Sequence, residues 1–212
     1  MRLTINKEKK EKKSKEKKED DIPSFAQSPK GFVIELIKIV LIALVVIIPI
    51  RYFLFQPFYV RGASMEPNFY DNEYLIVDEI TYRFSEPERG DVIVVKVPEK
   101  QSDFLIKRII GLPGETLEIK DGHLIIYNDQ NIKGSILSED YLKEGISTAG
   151  YKKVEINEGE YFIMGDNRPV SLDSRSFGPL DGDNIVGRAW LRVWPFDEFS
   201  HFTTPEYNLI KN

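Results

Sequence analysis

Two neighbouring segments, DVIVVKV (Asp91–Val97) and DFLIKRIIG (Asp103–Gly111), indicate how the larger part of this chain folds. Both are short and rich in Val, Ile and Leu, and Gly, Pro and acidic residues bound them. This composition is typical of β-strands, because branched side chains pack well on a pleated surface and turn residues end each strand. Each segment therefore predicts a strand.

The same pattern recurs along the rest of the C-terminal region. EYLIVDE (Glu73–Glu79), ETLEIKDGHLIIY (Glu115–Tyr127) and EYFIMGD (Glu160–Asp166) are similar runs, with turn signals such as LPGE, KDGH and NEGE nearby. We therefore predict a mainly β domain over residues 56–212, with antiparallel sheets in a barrel-like or sandwich arrangement. A small β insertion is expected at about residues 116–160.

The segment that precedes this domain is almost wholly apolar, and it has no charge between Ile39 and Ile50. A helix of about 20 apolar residues crosses a bilayer core, so we predict one transmembrane helix over residues 31–55. A buried core helix and a cleaved signal peptide are the alternatives. The second would need a small-x-small cleavage site soon after Ile50, and the sequence RYFLFQPFYV offers none.

Charge is distributed unevenly along the chain. Residues 1–20 carry nine Lys and Arg against five Asp and Glu. The low-complexity stretch Lys7–Asp21 has no apolar face, so we predict a disordered basic tail and linker over residues 1–30. Basic flanks remain in the cytoplasm, which places the β domain outside the cell membrane. That domain is acidic, which argues against a nucleic-acid partner.

The residue inventory limits the chemistry. The chain has no cysteine and only two histidines, His123 and His201. Disulfides and a cysteine nucleophile are therefore excluded, and few residues are available for a zinc site or a histidine-based triad. We expect no metal and no cofactor. A serine nucleophile would need a base other than histidine.

Ser64 is the first candidate for such a nucleophile. It follows the small residues Gly62 and Ala63, which would let another backbone approach closely, and Met65 comes after it. A serine at the end of a strand, in an ordinary turn, is the alternative interpretation of the same residues.

Lys107 is the candidate base. Strand alternation puts it on one face with Leu105 and Ile109, whereas Arg108 faces the other way. Arginine does not lose its proton in proteins, but a lysine does when burial disfavours its charge. A lysine that extends its amine to solvent at a sheet edge is the alternative.

A third polar segment is GDNRPVSLDSRSFG (Gly165–Gly178). Asp166 with Arg168, and Asp173 with Arg175, are expected to form charge-assisted pairs that make the loop rigid. Such a loop would hold Ser171 or Ser174 against a neighbouring amine. An ordinary solvated loop is the alternative.

Together these segments resemble the bacterial type I signal peptidases. SMEP (Ser64–Pro67) resembles the nucleophile motif of that family, and RGDVIVVKVP resembles the strand motif after it. IKRIIGLPGE resembles the Lys-Arg motif, and GDNRPVSLDSRSFG resembles the closing motif. The order also agrees, and the similarity extends from about Ile34 to Trp194.

The resemblance implies a membrane-anchored serine endopeptidase that removes signal peptides from exported preproteins at the cell membrane. Ser64 would be its nucleophile and Lys107 its general base. Ser171 would orient the lysine amine, while Asp173 and Arg175 would brace the closing loop. The lipid bilayer and the signal peptides of preproteins would be the partners.

The resemblance also implies how a substrate is held. The backbone N–H of Ser64 would stabilise the oxyanion, with Gly62, Ala63 and Met65 around it. Many family members carry a serine at the position of Gly62, so a second oxyanion donor is not assigned. Small side chains are expected at the substrate positions one and three before the cut.

Two other functions fit parts of the sequence. The self-cleaving repressors of the SOS response share the dyad, but a membrane segment replaces their DNA-binding domain here. A non-catalytic, membrane-anchored β domain that binds partners is the second alternative, although an inactive relative should have lost Ser64, Lys107 or Ser171. The sequence leaves the oligomeric state open.

Overall fold

The computed structural model describes residues 29–53, 55–97, 100–143, 145–204 and 209–211. Residues 1–28 of the predicted disordered tail and linker lie outside these described residues, whereas Pro29 and Lys30 belong to a helix. The chain divides into two compact units at the bond between Ile50 and Arg51.

The first unit contains most of helix α1, which occupies Pro29–Phe53. Its window Pro29–Ile48 is long and apolar enough to cross a membrane, and none of that window is buried in protein. The large apolar side chains of this window are therefore exposed. Glu35 and Lys38 form an ion pair of 3.5 Å between successive turns.

The second unit is mainly β, as predicted. Its strands are β1 (Phe55–Tyr59), β2 (Tyr74–Asp78), β3 (Val92–Val97), β4 (Lys100–Gly111), β5 (Thr116–Lys120), β6 (His123–Asn128), β7 (Asn131–Leu137), β8 (Lys152–Glu155), β9 (Glu160–Met164), β10 (Leu180–Asp181), β11 (Ile185–Trp194), β12 (Ser200–His201) and β13 (Leu209–Lys211). A one-turn helix, α2, spans Ser174–Phe177.

The strands form two sheets in which every described pairing is antiparallel. The larger sheet has the order β1-β2-β11-β3-β4-β9-β10, and β12 pairs with β11. The smaller sheet has the order β13-β7-β6-β5-β8. The segment expected as a β insertion thus carries β5 to β8, and the C-terminal strand β13 completes their sheet.

Strand β4 runs through the middle of the apolar core. Ile109 and Ile110 are fully buried and belong to different apolar clusters, and Ile106 packs against a third. Cross-strand pairing places Lys107 opposite Ile93 of β3, a residue that is itself fully buried. Lys107 therefore lies on a strand that is surrounded by apolar side chains, and it is 2% exposed.

Candidate active site

The turn that presents Ser64 lies between β1 and β2, and apolar residues anchor it. Met65 and Phe69 are both buried in one apolar cluster, and the Phe69 N–H donates to the Met65 carbonyl over 3.0 Å. Gly62 adopts a φ of 88°, a conformation that glycine reaches without a steric penalty. These features hold Ser64 in a half-buried position at the surface of the unit.

Lys107 reaches Ser64 from strand β4. Its Nζ lies 2.7 Å from Ser64 Oγ and 2.8 Å from the carbonyl oxygen of Ile106. The two side chains are 43 residues apart in the sequence. The structure thus brings together the serine and the lysine that the sequence singles out.

Burial changes the acidity of this lysine. Desolvation lowers the pKa of Lys107 to about 8, although the nearby carboxylates of Asp173 and Asp166 act in the opposite direction. An amine with this pKa is partly neutral at physiological pH and then has a lone pair for a proton. The hydroxyl of Ser64 is in range to donate to that lone pair.

The closing loop after β9 holds the backbone of the Ser64 turn. The N–H of Asn167 donates to the Ser64 carbonyl over 3.0 Å, and its Nδ2 donates to the Ala63 carbonyl, also over 3.0 Å. Sequence analysis assigned no role to Asn167, although it lies within the closing motif. Its position in the sequence, one residue after Asp166, does not indicate that it contacts the Ser64 turn.

Gly165 lets the same loop approach closely. A Cβ at this position would lie 2.6 Å from Ser171 Cβ, and it would lie even closer to Ser171 Oγ and the Ser64 carbonyl. No side chain fits between these groups, so only glycine is compatible with this packing. This role of Gly165 was also missed, because a close approach is not visible in a single sequence.

Asp173 and Arg175 form the ion pair that was expected for the closing loop, with Nε and Oδ1 2.8 Å apart. Asp173 is fully buried and also accepts the N–H of Gly165 over 3.0 Å. Burial alone would raise the pKa of Asp173, but the hydrogen bonds from Arg175 and Gly165 outweigh it and lower the pKa. Arg175 additionally donates to the Arg168 carbonyl over 2.7 Å.

The prediction of a second ion pair, between Asp166 and Arg168, is wrong. The carboxylate of Asp166 instead receives two hydrogen bonds from Arg108, of 2.8 and 2.6 Å, and both side chains are buried. Arg168 pairs with Glu139, which follows strand β7. The bidentate contact with Arg108 provides a donor to each oxygen of the buried carboxylate. Arg168, two residues further along the loop, makes no such contact with Asp166 here.

Ser171 lies against Gly165, but no hydrogen bond joins it to the amine of Lys107. Its Oγ is buried and meets no described partner at hydrogen-bond geometry, but it lies near enough to Asp173 to help lower the pKa of that carboxyl. Ser174, the other serine considered, donates no bond to the amine, and its Oγ accepts the N–H of Ile163 over 3.0 Å. The orienting role of Ser171 stays a prediction.

Two backbone groups bear on the oxyanion site. Within the described part of the chain, the Ser64 N–H donates to no acceptor, so it is available to a ligand. The Gly62 N–H, by contrast, donates to Asp71 Oδ1 over 2.7 Å. Gly62 therefore offers neither a side-chain hydroxyl nor a free N–H as a second donor.

An open cleft of about 520 Å³ borders Ser64 and Lys107. Its other walls are Phe58, Tyr59, Val60, Arg61, Leu75, Val94, Asp103, Phe104, Leu105 and Ile106. Most of these side chains are apolar. No group of three or more acidic or histidine side chains within the described ranges is placed to hold a metal ion.

Comparison with known proteins defines the class. Residues 33–194 match the model of the family described as signal peptidase, peptidase S26. The chain therefore belongs to this family of peptidases.

Its similarity to individual members is more specific. A signal peptidase IB of Staphylococcus aureus (strain COL) is 33% identical over 188 residues, which cover 84% of this chain and 97% of that protein. A signal peptidase I of Bacillus licheniformis is 37% identical over 179 residues, 80% of this chain and 92% of that protein. The predicted resemblance to type I signal peptidases is confirmed.

A solved structure of a signal peptidase I from Enterococcus faecalis V583 is also similar. It is 33% identical, with a TM-score of 0.41, and the match covers 49% of this chain and 97% of that chain.

Proposed function

We propose that this protein is a membrane-anchored serine endopeptidase that removes N-terminal signal peptides from exported preproteins. Ser64 acts as the nucleophile and Lys107 as the general base. The distance of 2.7 Å between Ser64 Oγ and Lys107 Nζ, in a site that lowers the pKa of the amine, is the observation that supports this proposal.

The reaction follows from these two groups. Neutral Lys107 takes the proton of the Ser64 hydroxyl as Oγ attacks the scissile carbonyl, and the Ser64 N–H stabilises the developing oxyanion. The lysine ammonium then gives this proton to the leaving amine, and an acyl-enzyme remains. Water, deprotonated by Lys107, attacks the ester carbonyl. The bond between the acyl carbon and Ser64 Oγ then breaks, Lys107 returns the proton to Oγ, and the carboxyl product leaves.

The substrate is proposed to bind as an extended strand along β4. This strand pairs with β9 only from Arg108 to Gly111, so the edge from Phe104 to Lys107 that faces away from β3 pairs with no described strand. An extended peptide can add to such an edge, with alternate side chains directed into pockets. The apolar cleft would then admit small side chains at the positions one and three before the cut.

The membrane anchor is proposed to be α1, with the N-terminus in the cytoplasm. The nine basic residues in positions 1–20 favour that side. The peptidase domain from residue 56 onward would then work outside the membrane. Protease added to intact cells should cut within this domain and spare the tail, and a cut tail in sealed cells would overturn the orientation.

Cleavage of a preprotein whose signal ends in Ala-x-Ala tests the dyad. Ser64→Ala and Lys107→Ala should each lose nearly all activity, and Lys107→Arg should not restore it because arginine keeps its proton. Ser176→Ala and Lys96→Ala change exposed residues and serve as matched controls. Activity in Lys107→Arg would exclude a lysine base.

A non-catalytic domain that binds partners is the other function considered. It predicts that the wild-type chain binds a preprotein and leaves it uncut. The same assay therefore separates the two functions.

A further inference from the structure

The region between β7 and β8 carries none of the motifs that point to catalysis, yet one of its residues contacts all three segments of the site. This residue is Tyr141. We propose that Tyr141 is a positioning residue, which holds the Ser64 turn, the Lys107 strand and the closing loop at fixed distances from one another. The inference rests on the proposed function, because it assumes that Ser64 and Lys107 react together.

The first contact is with the Ser64 turn. The carbonyl oxygen of Tyr141 accepts a hydrogen bond of 2.9 Å from Nδ2 of Asn68. The same amide donates to Asp166 Oδ2 over 2.8 Å. Asn68 follows Ser64 in the same turn and its carbonyl accepts a bond of 2.5 Å from Arg192. The end of the turn is thus fixed from three sides.

The second contact is with the strand of the base. The guanidinium carbon of Arg108 lies 4.2 Å from the centroid of the Tyr141 ring. A cation over an aromatic face is attracted by the ring, and more strongly when water is excluded. Arg108 is 5% exposed and comes directly after Lys107, so the ring holds the backbone of the base strand through its neighbour.

The third contact is with the closing loop. The hydroxyl of Tyr141 donates to Glu139 Oε1 over 2.7 Å and accepts from Arg168 Nη2 over 2.9 Å. Arg168 is 2% exposed, and its Nε donates to the carbonyl of Gly165 over 3.1 Å. Gly165 in turn packs against the Ser64 carbonyl.

Tyr141 acts through other residues and does not line the cleft beside Ser64. A substitution of its side chain removes the ring and hydroxyl contacts but keeps the backbone carbonyl that accepts from Asn68. It should therefore shift the Lys107 strand and the closing loop relative to the Ser64 turn while substrate binding stays the same. A misplacement of about 1 Å can slow a reaction about a hundredfold, because the attacking group must meet its target in one geometry. The expected signature is a fall in kcat at nearly constant KM.

The smaller sheet offers a matched control in Tyr127. A cation, Lys153 Nζ, lies 4.6 Å from its ring centroid, and its hydroxyl donates to Glu118 over 2.5 Å. Tyr127 thus has the same kinds of contact as Tyr141, but with residues of its own sheet. Both residues are half-buried, so loss of either should cost comparable stability.

The experiment compares Tyr141→Leu, Tyr141→Phe and Tyr127→Leu in the full chain in detergent, with an Ala-x-Ala prepeptide and with thermal unfolding as the second measurement. Tyr141→Leu should lower kcat about 30-fold or more with KM within about threefold. Tyr141→Phe keeps the ring and should lose about 3- to 10-fold. Tyr127→Leu should keep kcat within about threefold at a similar loss of Tm.

Equal kcat losses in Tyr141→Leu and Tyr127→Leu would overturn the proposal, and so would a rise in KM at constant kcat. If Tyr141→Leu does not fold, a wild-type kcat in Tyr141→Phe would overturn it instead. Ser64→Ala is included in each series. If it still cleaves, the proposed function fails, whereas an inactive Ser64→Ala with unimpaired Tyr141 variants refutes the positioning role alone.

Discussion

Raising the pH from 7 to 9 should increase kcat/KM about tenfold and then bring it to a plateau. Burial lowers the pKa of Lys107 to about 8. With this pKa, the neutral fraction of the amine is about 9% at pH 7 and about 90% at pH 9. An ordinary lysine, with a pKa of about 10.4, would gain about a hundredfold over the same range and show no plateau.

The assay measures initial rates at low substrate concentration between pH 6.5 and 9.5. The prepeptide should carry no titratable side chain near its cut site, so that the profile reports the enzyme. Thermal unfolding at each pH checks that the fold is intact. A hundredfold rise without a plateau would show that Lys107 is not desolvated as the structure implies. A flat profile would mean that no base titrates in this range.

Three further results are expected. Lys107→Met should raise stability at pH 7 by up to about 3 kcal/mol, because lowering the lysine pKa from 10.5 to about 8 costs the folded state about 1.4 kcal/mol per unit while the amine is protonated. The unfolded state binds more protons between these two pKa values, so the wild-type penalty is complete below this window and relaxes as pH rises. The gap in Tm between the variant and wild type should therefore narrow as pH rises, and a constant gap would contradict this. Asp173→Asn removes a carboxylate that raises the pKa of Lys107, so the rate profile should move to lower pH, and an unmoved or higher midpoint would argue against this coupling. Gly165→Ala should lower kcat/KM about a hundredfold, since its Cβ overlaps Ser171 and the Ser64 carbonyl, and wild-type rates would show that the loop can yield there.

Local pattern was enough to predict the class of the fold. Strands β3 and β4 lie in the two segments whose composition predicted strands. Such a prediction succeeds because β-branched side chains favour the extended backbone locally and turn residues end each segment. The order of the strands within each sheet could not be predicted in this way, because it depends on contacts between distant parts of the chain. β13 pairs with β7 although more than seventy positions of chain separate Leu137 from Leu209, and no local pattern encodes that partner.

The same distinction applies to the site. Each of Ser64 and Lys107 alone had an ordinary alternative interpretation, and the order of the motifs that resemble the signal peptidases selected them. The structure places their side chains 2.7 Å apart. The partner of Asp166 was predicted wrongly because the prediction considered only arginines of the same loop, where Arg168 is two residues away. Its actual partner, Arg108, is 58 residues away, and only the packing of β4 beside the closing loop brings it into range.

The two ion pairs of the site also have an electrostatic consequence that their sequence positions do not reveal. Asp173 and Asp166 both raise the pKa of Lys107, and thereby oppose the burial that keeps the amine neutral. Each carboxylate is paired with an arginine, Arg175 in one case and Arg108 in the other. An adjacent cation offsets the field of a carboxylate at a third site, because the two potentials have opposite sign. The arginines that brace the loop therefore also limit how far these carboxylates stabilise the protonated lysine, and desolvation remains the stronger effect.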